Sequence, residues 1–345
     1  MRAFRLTQWH REAELLEVDE PTPGAGEVVI KIGAAGACGS DLHFMYEDGA
    51  PPPFPLPFTL GHENAGWVHS LGAGVSGWEV GQAVAVHGPW ACGACGRCTN
   101  GLDNYCEGPR SAQGSGGGLG FDGGMADYML VPDPRNLVAL PEGLSPVQGA
   151  PLTDAGLTPF HAVSKSLHKL SATSTAVVIG VGGLGHLAVQ ILKATTAAKV
   201  IVVDTKEEAL KFGLSLGADL AIEAGDNTAR EIRRATNRLG ADAVIDFVGS
   251  DATLSLAASC VRSLGDVTCV GVGGGTLPFT FLRPAFGATV QSSYWGSIPE
   301  LKQVLELAAR GLVQAQITTY PLERASEAYR ALAAGEIAGR AVVVP

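Results

Sequence analysis

An apolar run at Thr175–Gly180 passes directly into Gly180-Val181-Gly182-Gly183-Leu184-Gly185, and a helix-periodic stretch follows. Few segments this short restrict a fold so tightly. The first glycine suits a tight turn after a strand, the second lets a pyrophosphate approach the backbone, and the third lets the helix pack on the sheet. In a chain with 46 glycines such a run is weak by itself. The context supplies the rest. Leu184, Leu187, Ala188, Ile191 and Leu192 recur at helical spacing, predicting a helix over residues 183–196. A second strand, Lys199–Asp204, then ends on an acid 19 residues after Gly185. Asp204 can accept from both ribose hydroxyls and repels a 2′-phosphate, which favours NAD(H). Lys206 softens that repulsion and keeps NADP(H) open. The plainer alternative is a glycine-rich turn with an Asp at a strand end.

Further strands are predicted at Ala241–Val248 and Asp266–Gly271 with helices between them, the pattern of a doubly wound parallel sheet. Residues 1–150 read differently. Short strands at Glu27–Ile32, Ala65–Leu71 and Gln82–Val86 alternate with Gly and Pro turns, as in an irregular barrel or sandwich. Pro51–Pro57 is too proline-rich for anything but a stiff surface loop, and Gly114–Gly124 is a second, glycine-rich loop. After Tyr294, helices at Ile298–Arg310 and Ser326–Ala334 precede a strand at Ala341–Val344. The two ends of the chain are expected to join around an inserted nucleotide domain. A length of 345 residues is ample for two cores.

The net charge of −10 is spread without blocks, which argues against nucleic acid as a partner. No run has the length and apolarity of a membrane span, and the first residues lack a signal-peptide core. The expected compartment is the cytoplasm.

Cys92, Cys95, Cys98 and Cys106 crowd into a lobe over residues 91–107, with Gly93 and Gly96 between them. Four thiolates so close suit a closed tetrahedral zinc site. Two disulfides would suit a secreted chain, and nothing else here has that character. Cys260 and Cys269 lie in apolar context and read as inert core residues. Three polar residues are harder to explain as packing. Cys38 ends a strand, His62 sits in Gly61-His62-Glu63, and Asp154 opens a predicted helix. Thiolate, carboxylate and neutral imidazole would balance a Zn²⁺ with one position left open. Spacing alone does not bring the three together.

With Gly36-Ala37-Cys38-Gly39-Ser40-Asp41, Gly61-His62-Glu63, the four-cysteine lobe, the Gly180 turn and Gly339-Arg340, the chain resembles zinc-dependent alcohol dehydrogenases of the medium-chain dehydrogenase/reductase superfamily. Pro151–Thr158 and Tyr294-Trp295-Gly296 look most like bacterial NAD-dependent secondary-alcohol enzymes that accept bulky and aryl ketones. The resemblance implies a GroES-like catalytic domain from residues 1–154 and 294–345, and a Rossmann domain from residues 155–293. It implies two zincs per chain, NAD(H), a small alcohol or ketone substrate, and a homodimer or homotetramer, for which the apolar run around Thr268–Phe281 is a plausible interface.

Residue by residue, the resemblance gives Cys38, His62 and Asp154 to a catalytic zinc and Cys92, Cys95, Cys98 and Cys106 to a structural one. Ser40 matches the hydroxyl that takes the substrate proton, His43 the imidazole that passes it to solvent, and Glu63 the carboxylate beside the metal. Thr158 and Arg340 match contacts to nicotinamide and pyrophosphate. Gly180, Gly182, Gly183, Leu184, Gly185, Asp204, Lys206, Val248, Val270 and Val272 match other cofactor positions. Phe54, Trp90, Leu119, Tyr294 and Trp295 would line the substrate pocket. Gly39 stands where many members carry Arg or His against the pyrophosphate. Duller roles exist for several of these: Ser40 as a turn cap, Glu63 as an ion-pair partner for an arginine, Arg340 as a solvated charge. A polyol dehydrogenase is the nearest rival among enzymes, and a non-catalytic NAD-binding protein the rival from another class.

Overall fold

A computed structural model of the chain describes residues 1–46, 54–108 and 116–345. Pro51–Pro53 of the expected stiff loop, and Gly114 and Ser115 of the glycine-rich one, lie outside the described residues. The chain forms two compact units. One contains Met1–Leu157, Trp295–Arg310 and Ala315–Pro345, and the other Thr158–Tyr294 with Gly311–Gln314. That last short return was expected in the first unit and packs with the second instead.

A seven-stranded sheet organises the first unit. Its order is Leu137–Ala139, Ala83–Val86, Glu63–Leu71, Val28–Ala37, Arg340–Val344, Ile317–Pro321, with Tyr128–Val131 also paired to Val28–Ala37. The strand expected at residues 27–32 runs on to Ala37, through a stretch of glycine and alanine that hides its length from any alternation test. Small residues are required there: a β-carbon at Gly33 would lie 2.7 Å from Pro146 Cβ and 2.9 Å from the Trp67 ring. The C-terminal strand enters antiparallel beside it, with Ala341 opposite Ala37 and Val343 opposite Ala35. Phe4, Leu6, Met45, Phe58, Leu60, Met125 and Tyr329 fill one core cluster, and Val28, Ile30, Val68, Val84 and Met129 belong to another. Each fully buried side chain of this size contributes roughly 1.5–3 kcal/mol of burial free energy.

In the second unit six parallel strands take the order Leu220–Glu223, Lys199–Asp204, Thr175–Ile179, Ala241–Asp246, Val261–Cys269, Thr289–Ser292. Numbered along the chain this is 3-2-1-4-5-6, the doubly wound dinucleotide arrangement. Val200–Val203 are wholly buried, as expected for a strand covered on both faces. The first helix spans Gly185–Thr195, two residues shorter at its start than the periodicity suggests. The fifth strand begins at Val261 and stops at Cys269, not at residues 266–271 as expected. Its early part is irregular: the register shifts between Ala241 and Ala243, and Leu264 takes a positive φ of 63°. Among the described residues no helix is long and apolar enough to cross a membrane.

Candidate functional site

Two sets of metal-ligating side chains converge in the first unit. In the lobe, Cys95 Sγ lies 3.5 Å from Cys98 Sγ and 3.9 Å from Cys106 Sγ, while Cys92 and Cys98 are 3.9 Å apart. Zinc–sulfur bonds of about 2.3 Å in a tetrahedron put sulfurs about 3.8 Å apart, so the spacing fits. Backbone amides point at the sulfurs: Cys92 N–H at Cys106, Cys95 N–H at Cys92, Glu107 N–H at Cys95 and Gly108 N–H at Cys106. The cluster cannot ionise fully by itself. Amide donors bring Cys95 down to about 6, whereas burial and neighbouring thiols push Cys98 up to about 12. A divalent cation among them resolves that conflict.

Strand pairing builds the second set. Gly36 lies opposite Glu63, which carries Cys38 and His62 to adjacent positions at the ends of neighbouring strands. Asp154 follows the 3₁₀ turn Ala150–Thr153 with φ −132°, so it does not open a helix as expected. The helix starts at Leu157, and His161 therefore shares no helical face with Asp154. Donor atoms of Cys38, His62, Glu63 and Asp154 all lie within 4.8 Å of one another, and all four residues are buried. Cys38 Sγ is 3.7 Å from Asp154 Oδ2, and His62 Nε2 is 3.5 Å from the same oxygen. Donors about 2.0–2.3 Å from one tetrahedral zinc would be about 3.3–3.8 Å apart.

The electrostatics also favour a cation. Cys38, Asp41, Glu63 and Asp154 are acidic and buried, and Arg340 is the basic residue paired into them. Glu63 Oε1 accepts from Arg340, while Glu63 Oε2 has no hydrogen-bond partner among the described residues. Burial holds the Glu63 carboxyl well above its ordinary pKa, against the pull of Arg340. For Cys38 the balance reverses: burial opposes ionisation, but Arg340 and His62 bring the thiol below its usual value. Arg340, read from sequence as either a solvated charge or a pyrophosphate contact, is only 3% exposed and holds Glu63. Glu63 thus has its ion-pair partner and still sits among the metal donors.

Sequence reasoning missed the residues behind His62. Asp41, wholly buried, puts Oδ1 3.1 Å from His62 Nδ1, though off the ideal N–H direction. Its Oδ2 accepts from the Cys38 amide at 3.2 Å and from the Tyr329 hydroxyl at 2.7 Å. The only sequence signal was an acid three residues after Cys38. Trp295 was expected in a substrate pocket. It stands edge-on to the His62 ring at 5.5 Å, donates from Nε1 to Thr153 O at 2.8 Å, and takes a positive φ of 47°.

Ser40 and His43 stand three apart on the helix Gly39–Tyr46, one face of the same turn, with Ser40 Oγ 3.7 Å from Cys38 Sγ. Three of the other pocket candidates neighbour the segment 116–121: a β-carbon at Gly120 would meet the Phe54 ring, one at Gly117 would meet the Trp90 ring, and Leu119 lies between the two glycines. Phe54 belongs to an aromatic group with Phe44 and Phe58, and buried Trp90 packs against Phe121. Leu119 is half-buried in the loop after Gly118, and Tyr294 is exposed in the second unit.

In the second unit Gly180 adopts φ +87° and its N–H bonds to Val203 O at 2.8 Å. A β-carbon at Gly185 would run into Gly180 O, whereas one at Gly182 would meet nothing, leaving that backbone open to a ligand. Asp204 accepts from Val181 N–H at 2.8 Å and from Lys206 N–H at 3.0 Å, which fixes its carboxylate beside the turn. Gly183 and Leu184 complete the approach to the helix N-terminus. Val248, Val270 and Val272 follow the carboxyl ends of the fourth and fifth strands, the customary ligand edge of such sheets. Thr158 is buried near the start of the helix Leu157–Ser164.

The sequence profile of the alcohol dehydrogenase GroES-like domain matches residues 24–142, and that of the zinc-binding dehydrogenases matches residues 183–310. An NAD-dependent alcohol dehydrogenase of Sulfurisphaera tokodaii is 38% identical over the full length of both chains. Among solved structures, an alcohol dehydrogenase of Aeropyrum pernix superposes with a TM-score of 0.89 at 34% identity, covering 100% of each chain. An acetophenone reductase from Geotrichum candidum, solved with NAD, gives a TM-score of 0.87 at 32% identity over 100% of this chain and 97% of that one.

Proposed function

The chain belongs to the zinc-binding alcohol dehydrogenases of the medium-chain dehydrogenase/reductase type, and on that premise we propose that it interconverts alcohols with ketones or aldehydes using NAD(H). The observation that carries the reading is the convergence of Cys38, His62 and Asp154 on one buried, net-acidic point. These three hold zinc, with Glu63 tethered beside them by Arg340, and the four lobe cysteines hold a second zinc. Zinc held there would supply the Lewis acidity that lowers the pKa of an alcohol hydroxyl, and NAD⁺ would supply the hydride acceptor. Ser40 receives the hydroxyl proton and hands it toward His43 on the same helical face. Asp204 holds the adenosine ribose, and the turn at Gly180–Gly185 receives the phosphates.

Secondary, hydrophobic or aryl alcohols suit the Trp295 ring that stands beside His62, and the likeness to an acetophenone reductase supports that class. The protein works in the cytoplasm as a homodimer or homotetramer. Thr289–Ser292 is an edge strand of the parallel sheet, and Phe279, Phe281, Leu282 and Phe286 are exposed shortly before it, which suits burial against a second copy.

Metal analysis with an NADH-linked screen of aryl ketones, aliphatic ketones and polyols tests the proposal. Two zincs per chain and turnover of aryl or aliphatic ketones are expected, with one zinc and all turnover lost in Cys38→Ser. Retention of both metals in that variant would refute the ligand assignment.

A further inference from the structure

Helix Ala325–Ala333 carries Tyr329 into the interior of the first unit, where it is wholly buried and stacked on Phe4 with ring centroids 5.9 Å apart. Phenylalanine would satisfy that packing. The hydroxyl has another use: it donates to Asp41 Oδ2 at 2.7 Å, a shorter contact and a stronger acceptor than Met125 Sδ at 3.2 Å. The same Asp41 carboxylate faces His62 Nδ1 through its second oxygen, which leaves His62 Nε2 toward Cys38 and Asp154.

We infer that Tyr329 is a positioning residue for the metal: its hydroxyl locks the Asp41 carboxylate, and Asp41 fixes the ring orientation and tautomer of His62. The inference rests on the reading of Cys38, His62 and Asp154 as metal ligands. A buried carboxylate needs donors to stay ionised and stationary. Oδ2 has two, the Tyr329 hydroxyl and the Cys38 amide, and the amide contact is the longer at 3.2 Å. Removing the hydroxyl leaves the Cys38 amide as the remaining hydrogen bond to Asp41 among the described residues, so the carboxylate is free to turn away from His62 Nδ1, 3.1 Å from Oδ1. A carboxylate behind a ligating imidazole sets which ring nitrogen carries the proton and how basic the other is. Burial and the neighbouring Asp41 keep the phenol well above its ordinary pKa, so it remains a donor throughout the working range.

The test measures zinc release to a chelator, and the visible spectrum of the cobalt-substituted protein, in the full chain. Asp41→Asn should speed release from the catalytic site by about 10–100-fold, the range for a partner directly behind a ligand. Tyr329→Phe should speed it by about threefold to tenfold, the smaller effect of one lost hydrogen bond acting through that partner, and shift the cobalt bands. The double variant should be no worse than Asp41→Asn alone, because the two act in series. Phe4→Leu loosens the same core without touching the hydroxyl and serves as the packing reference. Replacing Tyr329 with 3-fluorotyrosine, a stronger donor of nearly the same shape, should slow release.

Tyr329→Phe behaving like wild type or like Phe4→Leu would overturn the inference. So would multiplying effects in the double variant, or an unchanged rate with fluorotyrosine. A zinc count that does not fall in Cys38→Ser would instead remove the metal assignment, and this inference with it.

Discussion

Gly36 leaves the space that the Glu63 carboxylate occupies: a β-carbon at Gly36 would collide with Glu63 Oε2 and sit 2.7 Å from its Cδ. The two residues are also paired across neighbouring strands. Gly36→Ala must therefore push Glu63 off Arg340 or distort the sheet. A loss of about 1–3 kcal/mol is expected, the usual cost of overpacking a core, together with weaker zinc retention at the Cys38 set. Thermal unfolding and metal analysis read both effects, and a variant with wild-type values for each would contradict the geometry.

Cys95→Ser removes one sulfur from the lobe and the acceptor for the Glu107 amide. One zinc should be lost and the melting temperature or the assembly should fall, because structural zinc contributes directly to folding. The fraction that stays folded should keep a normal KM for NAD⁺, since the dinucleotide turn lies in the other unit. Unchanged unfolding would rule out a structural role.

Asp204→Ala removes the acceptor of the Val181 and Lys206 amides as well as the ribose partner. NAD⁺ binding should weaken by about tenfold or more, equivalent to about 1.4 kcal/mol. The ratio of NADP⁺ to NAD⁺ affinity should rise, because the charge that repels a 2′-phosphate is gone. Fluorescence titration with both cofactors separates the two effects.

Asp219 gives a pH dependence. Burial acts to raise its pKa, but the Val200 amide at 2.7 Å and Lys193 at 3.1 Å outweigh it and leave the value lowered. A carboxyl whose pKa is lower in the folded state stabilises the protein above the unfolded pKa, about 3.9. That contribution fades as the pH falls through the folded value. Asp219→Asn should lower stability at pH 7 by under about 1 kcal/mol, since the pair is partly exposed. The difference from wild type should vanish in acid, and a constant difference down to pH 2 would count against the assignment.

What could be read from sequence follows from how local each feature is. The Gly180 turn and the four-cysteine lobe each lie within a short segment, so spacing and composition carried them. Cys38 and His62 meet through the register of Gly36 against Glu63, and Asp154 arrives on the separate turn Ala150–Thr153; spacing encodes neither, and family resemblance had to supply the set. Asp41 and Tyr329 were invisible for a different reason. An acid in the first turn of a helix and a tyrosine on an amphipathic helix both have ordinary explanations, and nothing local reveals that they touch. The strand at Val28–Ala37 was underestimated because its last five residues, all Gly or Ala, carry no alternation.

The strand Arg340–Val344 sits inside the seven-stranded sheet, between Val28–Ala37 and Ile317–Pro321, and brings Arg340 to Glu63. During translation, then, the metal-side unit has an open seam until residue 344 has left the ribosome. The parallel sheet at residues 175–292 can close on itself well before that moment. A ribosome that stalls within the final helix therefore leaves that seam open and Glu63 without Arg340, the cation that pairs with it in the finished sheet.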